Sequence, residues 1–144
     1  MEKKVRENKV KVGGEKWMVF PAYNRWEEKY MYVPFQLLRS AIGKYRRQKS
    51  ENPTKDFVIK IVGFFGPTHG WSRCWKLLHN RYSYVWTAEG QYIPKHLLQE
   101  ATIVLRINPR TENFFISCEG NDEACYCSEN SFLNKLYSDS LSEV

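Results

Sequence analysis

Residues 33–67 read VPFQLLRSAIGKYRRQKSENPTKDFVIKIVGFFGP, and this stretch contains a helix pattern followed by a strand pattern. From Val33 to Lys49, apolar side chains recur at helical spacing, Pro34 suits the first turn, and cations crowd the end of the segment. From Phe57 to Phe65 the residues are apolar and β-branched, as is typical of a central strand, and Gly66-Pro67 ends it. The stretch therefore predicts a fold that mixes helix and sheet.

The flanking sequence predicts further strands and a second helix. A helix is expected over Ser128 to Tyr137, with Ser128, Asn130 and Ser131 as candidate N-caps. Strand patterns occur at Trp17–Pro21, Tyr82–Trp86, Ala101–Ile107 and Asn113–Cys118. Helices placed among mostly antiparallel strands define the α+β class, so we predict a compact single domain with a mostly antiparallel sheet packed by two or more helices.

The 144 residues suit one domain preceded by an arm. Residues 1–14 are rich in cations, poor in large apolar side chains and end in Gly13-Gly14, which predicts a flexible basic arm before a globular domain over residues 15–144. No run approaches the roughly 18 to 20 apolar residues needed to cross a bilayer, and no signal-peptide pattern opens the chain. We therefore expect a cytoplasmic or nuclear protein with reduced cysteines.

Charge is divided unevenly along the chain. Up to Arg110 there are 21 Lys and Arg against 9 Asp and Glu, a net charge of +12, whereas from Thr111 onward 1 faces 7, a net charge of −6. A basic region attracts phosphate, whether of a lipid headgroup or of a nucleic acid. It also attracts an acidic segment on another copy of the chain.

No pattern in the sequence predicts catalysis or a cofactor. Cys118, Cys125 and Cys127 with a histidine would make four zinc ligands, but a Cys-Tyr-Cys spacing is not that of a structural zinc knuckle, so no metal is predicted. A nucleophile elbow and a glycine-rich phosphate loop are both missing from the sequence. The chain is predicted not to be an enzyme and to have no catalytic residues.

Two segments combine aromatic side chains with cations. Trp71 to Leu78 would suit insertion at a membrane interface if exposed, and would be a buried strand otherwise. Together with Tyr82 to Trp86, it would instead stack bases in an RNA-binding protein, with the basic end of the first helix (Arg46, Arg47 and Lys49) on the phosphates. Ser142 and Val144 match the Ser-x-Val pattern of tails that bind PDZ domains, which adds a host PDZ protein as a candidate partner.

Read in order, these segments resemble the matrix proteins of rhabdoviruses. The similarity covers about Trp17 to Leu141. Its elements are Pro34-Phe35 opening a helix, Phe57, Lys60-Ile61 and Phe64-Phe65-Gly66 on a strand, Trp75-Lys76-Leu77, Tyr84, Trp86 and Gly90 farther on, and Leu136-Tyr137-Ser138-Asp139-Ser140-Leu141 near the end.

The resemblance implies a viral structural protein that lies on the inner face of the envelope, bridges the membrane to the ribonucleoprotein, self-assembles and drives budding. Its expected partners are anionic lipids, the viral nucleocapsid and further copies of the chain, with host cytoplasm, membrane periphery and nucleus as further locations. The expected membrane-binding residues are Lys3, Lys4, Arg6, Lys9, Lys11, Trp71 and Trp75. For self-association or ribonucleoprotein contact they are Trp71, Arg73, Trp75, Lys76, Leu77, Leu78, Arg46, Arg47 and Lys49.

The chain departs from the family in its arm. The arm is shorter than in animal-infecting members and has neither a Pro-Pro-x-Tyr nor a Pro-Thr-Ala-Pro motif. The resemblance therefore gives no basis for expecting recruitment of host budding machinery or a block of host transcription or nuclear export. A nucleic-acid-binding module, such as a suppressor of RNA silencing or of the host response, is the alternative function.

Overall fold

The computed structural model describes residues 9–11, 17–22, 29–67, 84–86, 92–94, 98–128 and 132–141. Within these ranges the helices are α1 (Phe35–Glu51) and α2 (Leu133–Leu141). The strands are β1 (Lys9–Lys11), β2 (Trp17–Pro21), β3 (Tyr30–Pro34), β4 (Phe57–Gly66), β5 (Val85–Trp86), β6 (Tyr92–Pro94), β7 (Gln99–Ile107), β8 (Phe114–Cys118) and β9 (Asn121–Cys127).

One antiparallel sheet organises the domain, in the order β5-β2-β3-β4-β7-β8-β9. Six of these strands have five or more residues, and the two-residue β5 extends one edge. β1 pairs separately with β6, so Lys9 lies opposite Pro94 and Lys11 opposite Tyr92. The sheet and its two helices confirm the α+β prediction.

β4 and β7 form the longest ladder and fix the register of the sheet. Phe57 pairs with Ile107 at one end and Phe65 with Gln99 at the other. Because side chains alternate along a strand, Ile103, Leu105 and Ile107 all point into the core, while Arg106 points out on the opposite face. The inner face of β7 is therefore buried from Ile103 to Ile107, while its outer face is exposed except at Val104.

The sheet is strongly curled. β2 and β9 are five strand positions apart, which would separate them by about 24 Å in a flat sheet. Instead, the rings of Phe20 on β2 and Tyr126 on β9 have centroids 5.2 Å apart. The inner face of the sheet therefore wraps around the core and brings its first and last long strands together.

Both helices close the same core. Leu38, Ile42 and Tyr45 of α1 are buried, as are Leu133 and Leu136 of α2. Burying each large apolar side chain stabilises the fold by about 1.5–3 kcal/mol relative to leaving it exposed. Packing of these stripes against the curled sheet, more than helix propensity, therefore holds the helices in place.

Several element boundaries differ from the sequence prediction. α1 begins two residues later than expected and runs through Glu51, because Pro34 is the last residue of β3 and precedes the helix instead of opening it. The Ser128 hydroxyl accepts a hydrogen bond from the Phe114 backbone N–H at 2.9 Å, so Ser128 joins β8 to β9 and does not cap α2. Asn130 and Ser131 lie outside the described residues, as do Tyr82 and Ser83 of the strand predicted over Tyr82 to Trp86, whose last two residues form β5.

In the part of the chain that the structure describes, neither helix has the length and apolar character of a membrane span. Three residues of the predicted arm, Lys9–Lys11, form β1. The division into an arm over residues 1–14 and a domain over residues 15–144 stays a prediction.

Candidate anion-binding surface

The structure describes part of the predicted site set. Arg46, Arg47 and Lys49 lie on α1, and the backbones of Lys9 and Lys11 form the ends of β1. The other predicted site residues, Lys3, Lys4, Arg6, Trp71, Arg73, Trp75, Lys76, Leu77, Leu78, Ser142 and Val144, lie outside the described residues.

α1 separates apolar from charged side chains around its axis. The apolar residues of α1 recur every three or four positions as far as Tyr45, and they are buried against the sheet and α2. All five cations of the helix lie outside this buried stripe, and Glu51 is its single acid. We call these cations the basic face: Arg39, Lys44, Arg46, Arg47 and Lys49.

One member of the basic face has a carboxylate partner in the described structure. The Lys49 ammonium lies 3.2 Å from Oε2 of Glu112, and the Tyr45 hydroxyl donates a hydrogen bond to the same oxygen at 2.7 Å. The hydrogen bond from Tyr45, aided by Lys49, lowers the pKa of Glu112 against the opposing effect of burial, while burial and the bond to Glu112 raise the pKa of Tyr45. Through this salt bridge, Lys49 holds the β7–β8 loop against α1.

Arg46 is positioned without being neutralised. Its guanidinium lies over the ring of Tyr137, 4.1 Å from the centroid, and one of its nitrogens donates to Oδ1 of Asn134 at 3.2 Å. Both partners are uncharged and belong to α2, so they fix the direction of the guanidinium, which forms no salt bridge with a carboxylate among the described residues. A stacked, oriented guanidinium is well suited to binding a phosphate through two hydrogen bonds.

The remaining cations, Arg39, Lys44 and Arg47, have no ion pair to any described carboxylate. Arg39 and Arg47 are eight residues apart, which places them on one side of the helix and about 12 Å apart along its axis. Gly43 lies midway between them, and a Cβ built there would have no atom within 4 Å. The arginines therefore flank an unobstructed stretch of backbone that a large anionic surface could approach closely.

The helix dipole accounts for only part of this arrangement. A cation in the last turn, such as Lys49, stabilises the negative end of a helix by about 0.3–1 kcal/mol. Arg39 lies in the second turn, where the dipole offers no such gain. Sequence analysis missed Arg39, although its spacing of seven and eight from Arg46 and Arg47 is the pattern that could have found it.

The three cysteines that the structure describes are divided between the two faces of the sheet. Cys118 is buried in the core, whereas Cys125 and Cys127 lie on the outer face of β9. Among the described residues no group of three or more potential metal ligands comes together. The set of three cysteines considered from the sequence is therefore not assembled in one place.

No protein-family model matches the chain, and no curated protein or solved structure matches it either.

Proposed function

We propose that the protein is a structural assembly protein of the viral matrix type, which binds anionic membrane and the ribonucleoprotein and polymerises between them. The observation that carries the proposal is the basic face, in which four of five cations, all but Lys49, have no described carboxylate partner. The resemblance in the order of sequence elements supplies the viral context. The basic residues of the first 11 positions add charge to the same protein.

The basic face would act through many weak contacts. Each Lys or Arg near an anionic membrane contributes about 1 kcal/mol, which gives a single copy marginal affinity. Self-association places many copies on one surface, and each contact after the first then forms at a high effective concentration. Such a protein would bind a membrane or a nucleocapsid stably only as it assembles, which is the behaviour a coat requires.

The packing of α1 favours this role. Its buried stripe and the stack of Arg46 on Tyr137 hold the helix against the core, so an incoming surface does not have to order a mobile segment. Ordering each long side chain on binding costs about 0.5–1.5 kcal/mol. The backbone of the basic face and the Arg46 guanidinium are already fixed before binding. Less of the electrostatic attraction is therefore offset by the cost of ordering, and binding is tighter.

The test is co-flotation of the folded protein with vesicles of increasing anionic lipid content at low and high salt. We expect salt-sensitive flotation that falls strongly in the triple variant Arg39→Gln, Lys44→Gln, Arg47→Gln. The matched control, Lys55→Gln, Arg106→Gln, Arg110→Gln, removes three exposed cations elsewhere and gives the same net charge of +3, from +6. Equal loss in both triples, or no flotation at low salt, would overturn the role of the basic face.

The predicted arm is tested separately by replacing Lys3, Lys4 and Arg6 with Gln. A loss of flotation comparable to that of the α1 triple is expected if both basic regions meet the membrane. Assembly is followed in the same samples by light scattering as protein concentration rises. Flotation without assembly would contradict the matrix proposal while leaving lipid binding in place.

The basic face also favours a second candidate, direct binding of nucleic acid. Guanidinium groups pair with the phosphates of RNA as readily as with those of lipids. Fluorescence anisotropy of a labelled single-stranded RNA distinguishes the two, with the same pair of triple variants. RNA binding lost in the α1 triple, together with no flotation of the wild-type protein, would put the nucleic-acid-binding module first.

A further inference from the structure

The outer face of the two central strands carries exposed apolar side chains. We call it the β4–β7 face, and its residues are Val58, Lys60, Val62, Phe64, Glu100, Thr102, Val104 and Arg106. Of the four large apolar side chains that the described residues leave exposed, two, Val58 and Val62, lie here. An exposed apolar patch with a charged rim is typical of a surface that binds another protein.

The curl of the sheet makes this face convex. The inner face wraps around the core, as the contact between Phe20 and Tyr126 shows, so the outer face is most prominent along its central strands. β4 and β7 are the middle pair of the six long strands. Two such convex surfaces would therefore touch along β4 and β7, with the sheets about 10 Å apart.

β7 carries opposite charges at the two ends of this face. Glu100 and Arg106 point to the same side because they are an even number of positions apart in an uninterrupted ladder, and both are exposed. Their six positions of separation correspond to about 20 Å, with Ile103 at the midpoint. Neither residue forms a salt bridge among the described residues.

A two-fold axis that crosses β7 at Ile103, perpendicular to the strand, would match these charges. It places Arg106 of one copy opposite Glu100 of the other, and the symmetry repeats the same pair at the far end of the contact. A gap of about 10 Å between sheets is within the combined reach of an arginine and a glutamate side chain. The face is thus complementary in charge to itself.

The apolar residues of β4 are matched by the same axis. Ile61 pairs with Ile103, so the axis crosses β4 at Ile61. Val58 of one copy then lies over Phe64 of the other, and Val62 lies over Lys60, whose aliphatic stem offers an apolar surface. Association would therefore bury the two exposed valines in each copy.

We propose that the β4–β7 face is a two-fold contact between copies of this chain, closed by reciprocal salt bridges between Arg106 and Glu100. The inference rests on the proposed function for self-association and assigns the surface that performs it. An anionic membrane or RNA gains little from this face, because its charges offset one another and Lys60 is already paired with Glu119 at 3.3 Å. Opposite charges placed reciprocally favour a second copy and disfavour other alignments.

The experiment follows association of the folded chain by sedimentation velocity, without lipid or RNA, as protein concentration rises at low salt. The wild type is expected to dimerise reversibly. Arg106→Glu and Glu100→Arg should each weaken this association by about tenfold or more, since like charges then meet at both ends of the contact. An equimolar mixture of the two variants should dimerise again, because every charge in the mixed pair meets one of opposite sign.

Arg110→Glu and Glu51→Arg are the matched controls. They change the net charge from +6 to +4 and to +8, as the two test variants do, at exposed positions outside the β4–β7 face. Both should dimerise as the wild type does, and circular dichroism with thermal unfolding establishes that every variant is folded. Arg106→Gln, which the flotation control also contains, removes an attraction without adding repulsion and should weaken dimerisation much less than Arg106→Glu.

The outcomes separate this surface from the proposed function. If the wild type assembles and the charge reversals change nothing, if the mixture stays monomeric, or if either control loses dimerisation, the β4–β7 face is the wrong surface while self-assembly stands. A wild type that stays monomeric at every concentration, both alone and on vesicles, would overturn the surface together with the self-assembly of the proposed function.

Discussion

The two halves of the sheet treat their outer faces differently. In the half formed by β2 and β3, the outer side chains Trp17, Val19 and Tyr32 are buried as completely as the core-facing ones. In the half formed by β4, β7, β8 and β9, the outer face is largely open, with Val58 48% and Val62 54% exposed, although Val104 and Ser117 on this face are buried. The sheet is thus buried on both faces at one end and largely exposed on its outer face at the other.

The difference shows how a strand pattern relates to its surroundings. β2 and β3 are continuous apolar runs, which is what burial on both faces requires, whereas the outer face of β7 carries Glu100, Thr102 and Arg106 and is exposed at those positions. The sealed half should therefore contribute more to stability per residue. The open half leaves side chains such as Arg106 and Cys127 exposed to solvent.

The largest expected effect compares equivalent outer-face positions in the two halves. Trp17→Ala should lower the free energy of unfolding by about 3–5 kcal/mol, because its ring is buried and packs against Phe64 at 5.4 Å between centroids. Val62→Ala should change it by about 0.5 kcal/mol or less, since half of that side chain is already in water. Urea unfolding measures both, and equal losses would contradict the division into a sealed and an open half.

Alanine substitutions at two glycines, Gly63 and Gly43, test the packing at the boundary between the two halves of the sheet. Gly63 lies just where the pairing of β3 with β4 ends, and a Cβ there would meet the Tyr32 carbonyl oxygen at 2.6 Å and Ile103 Cγ1 at 2.7 Å. Gly63→Ala should therefore destabilise the fold by about 1–3 kcal/mol. Gly43→Ala, in the open middle of α1, should stabilise it by about 0.5–1 kcal/mol.

Thermal unfolding of both alanine variants gives the sign directly. If Gly63→Ala is as stable as the wild type, the residues around position 63 can move to accommodate the added methyl group despite the close contacts. The Gly43 variant has a second use, because its Cβ would fill the gap between Arg39 and Arg47. Reduced flotation of that variant despite higher stability would sharpen the case for close approach of an anionic surface.

The smallest expected effect concerns the link between the open half and α1. Glu112→Gln should lower stability by about 1 kcal/mol at neutral pH, because Tyr45 and Lys49 both favour the charged carboxylate. Since the folded-state pKa of Glu112 is lowered, this contribution is present above the unfolded-state pKa and is lost as pH falls through the folded-state pKa. The difference between variant and wild type should accordingly shrink below about pH 4; a constant difference down to pH 2 would show that the charge is not involved.

Local sequence predicted the strongest elements and missed those defined by their neighbours. The helix near residues 33–49 and the strands β4, β7 and β8 were predicted because periodicity and turn residues agree there. β3 was missed because its apolar run continues directly into the helix pattern at Pro34. β9 was missed because Asn121–Cys127 does not alternate clearly, and it becomes a strand by pairing with β8 across a register shift near Cys118.

The site was less predictable than the fold. The basic end of the first helix was visible in the sequence, but the partners that distinguish its members were not. Arg46 stacks on a ring 91 positions away, and Lys49 pairs with Glu112 in a turn between two strands. Contacts at such separations depend on how the sheet curls, which no local pattern encodes.

The contact between Phe20 and Tyr126 also sets when the protein can fold. The two rings are more than a hundred residues apart in sequence, and they join the first and last long strands of the sheet. Bringing such distant segments together requires much chain entropy to be lost before the contact is made, so folding should be slow for a domain of this size. During synthesis the core would stay open until β9 had left the ribosome, and the nascent chain would expose its β2 and β3 aromatic residues for most of that time.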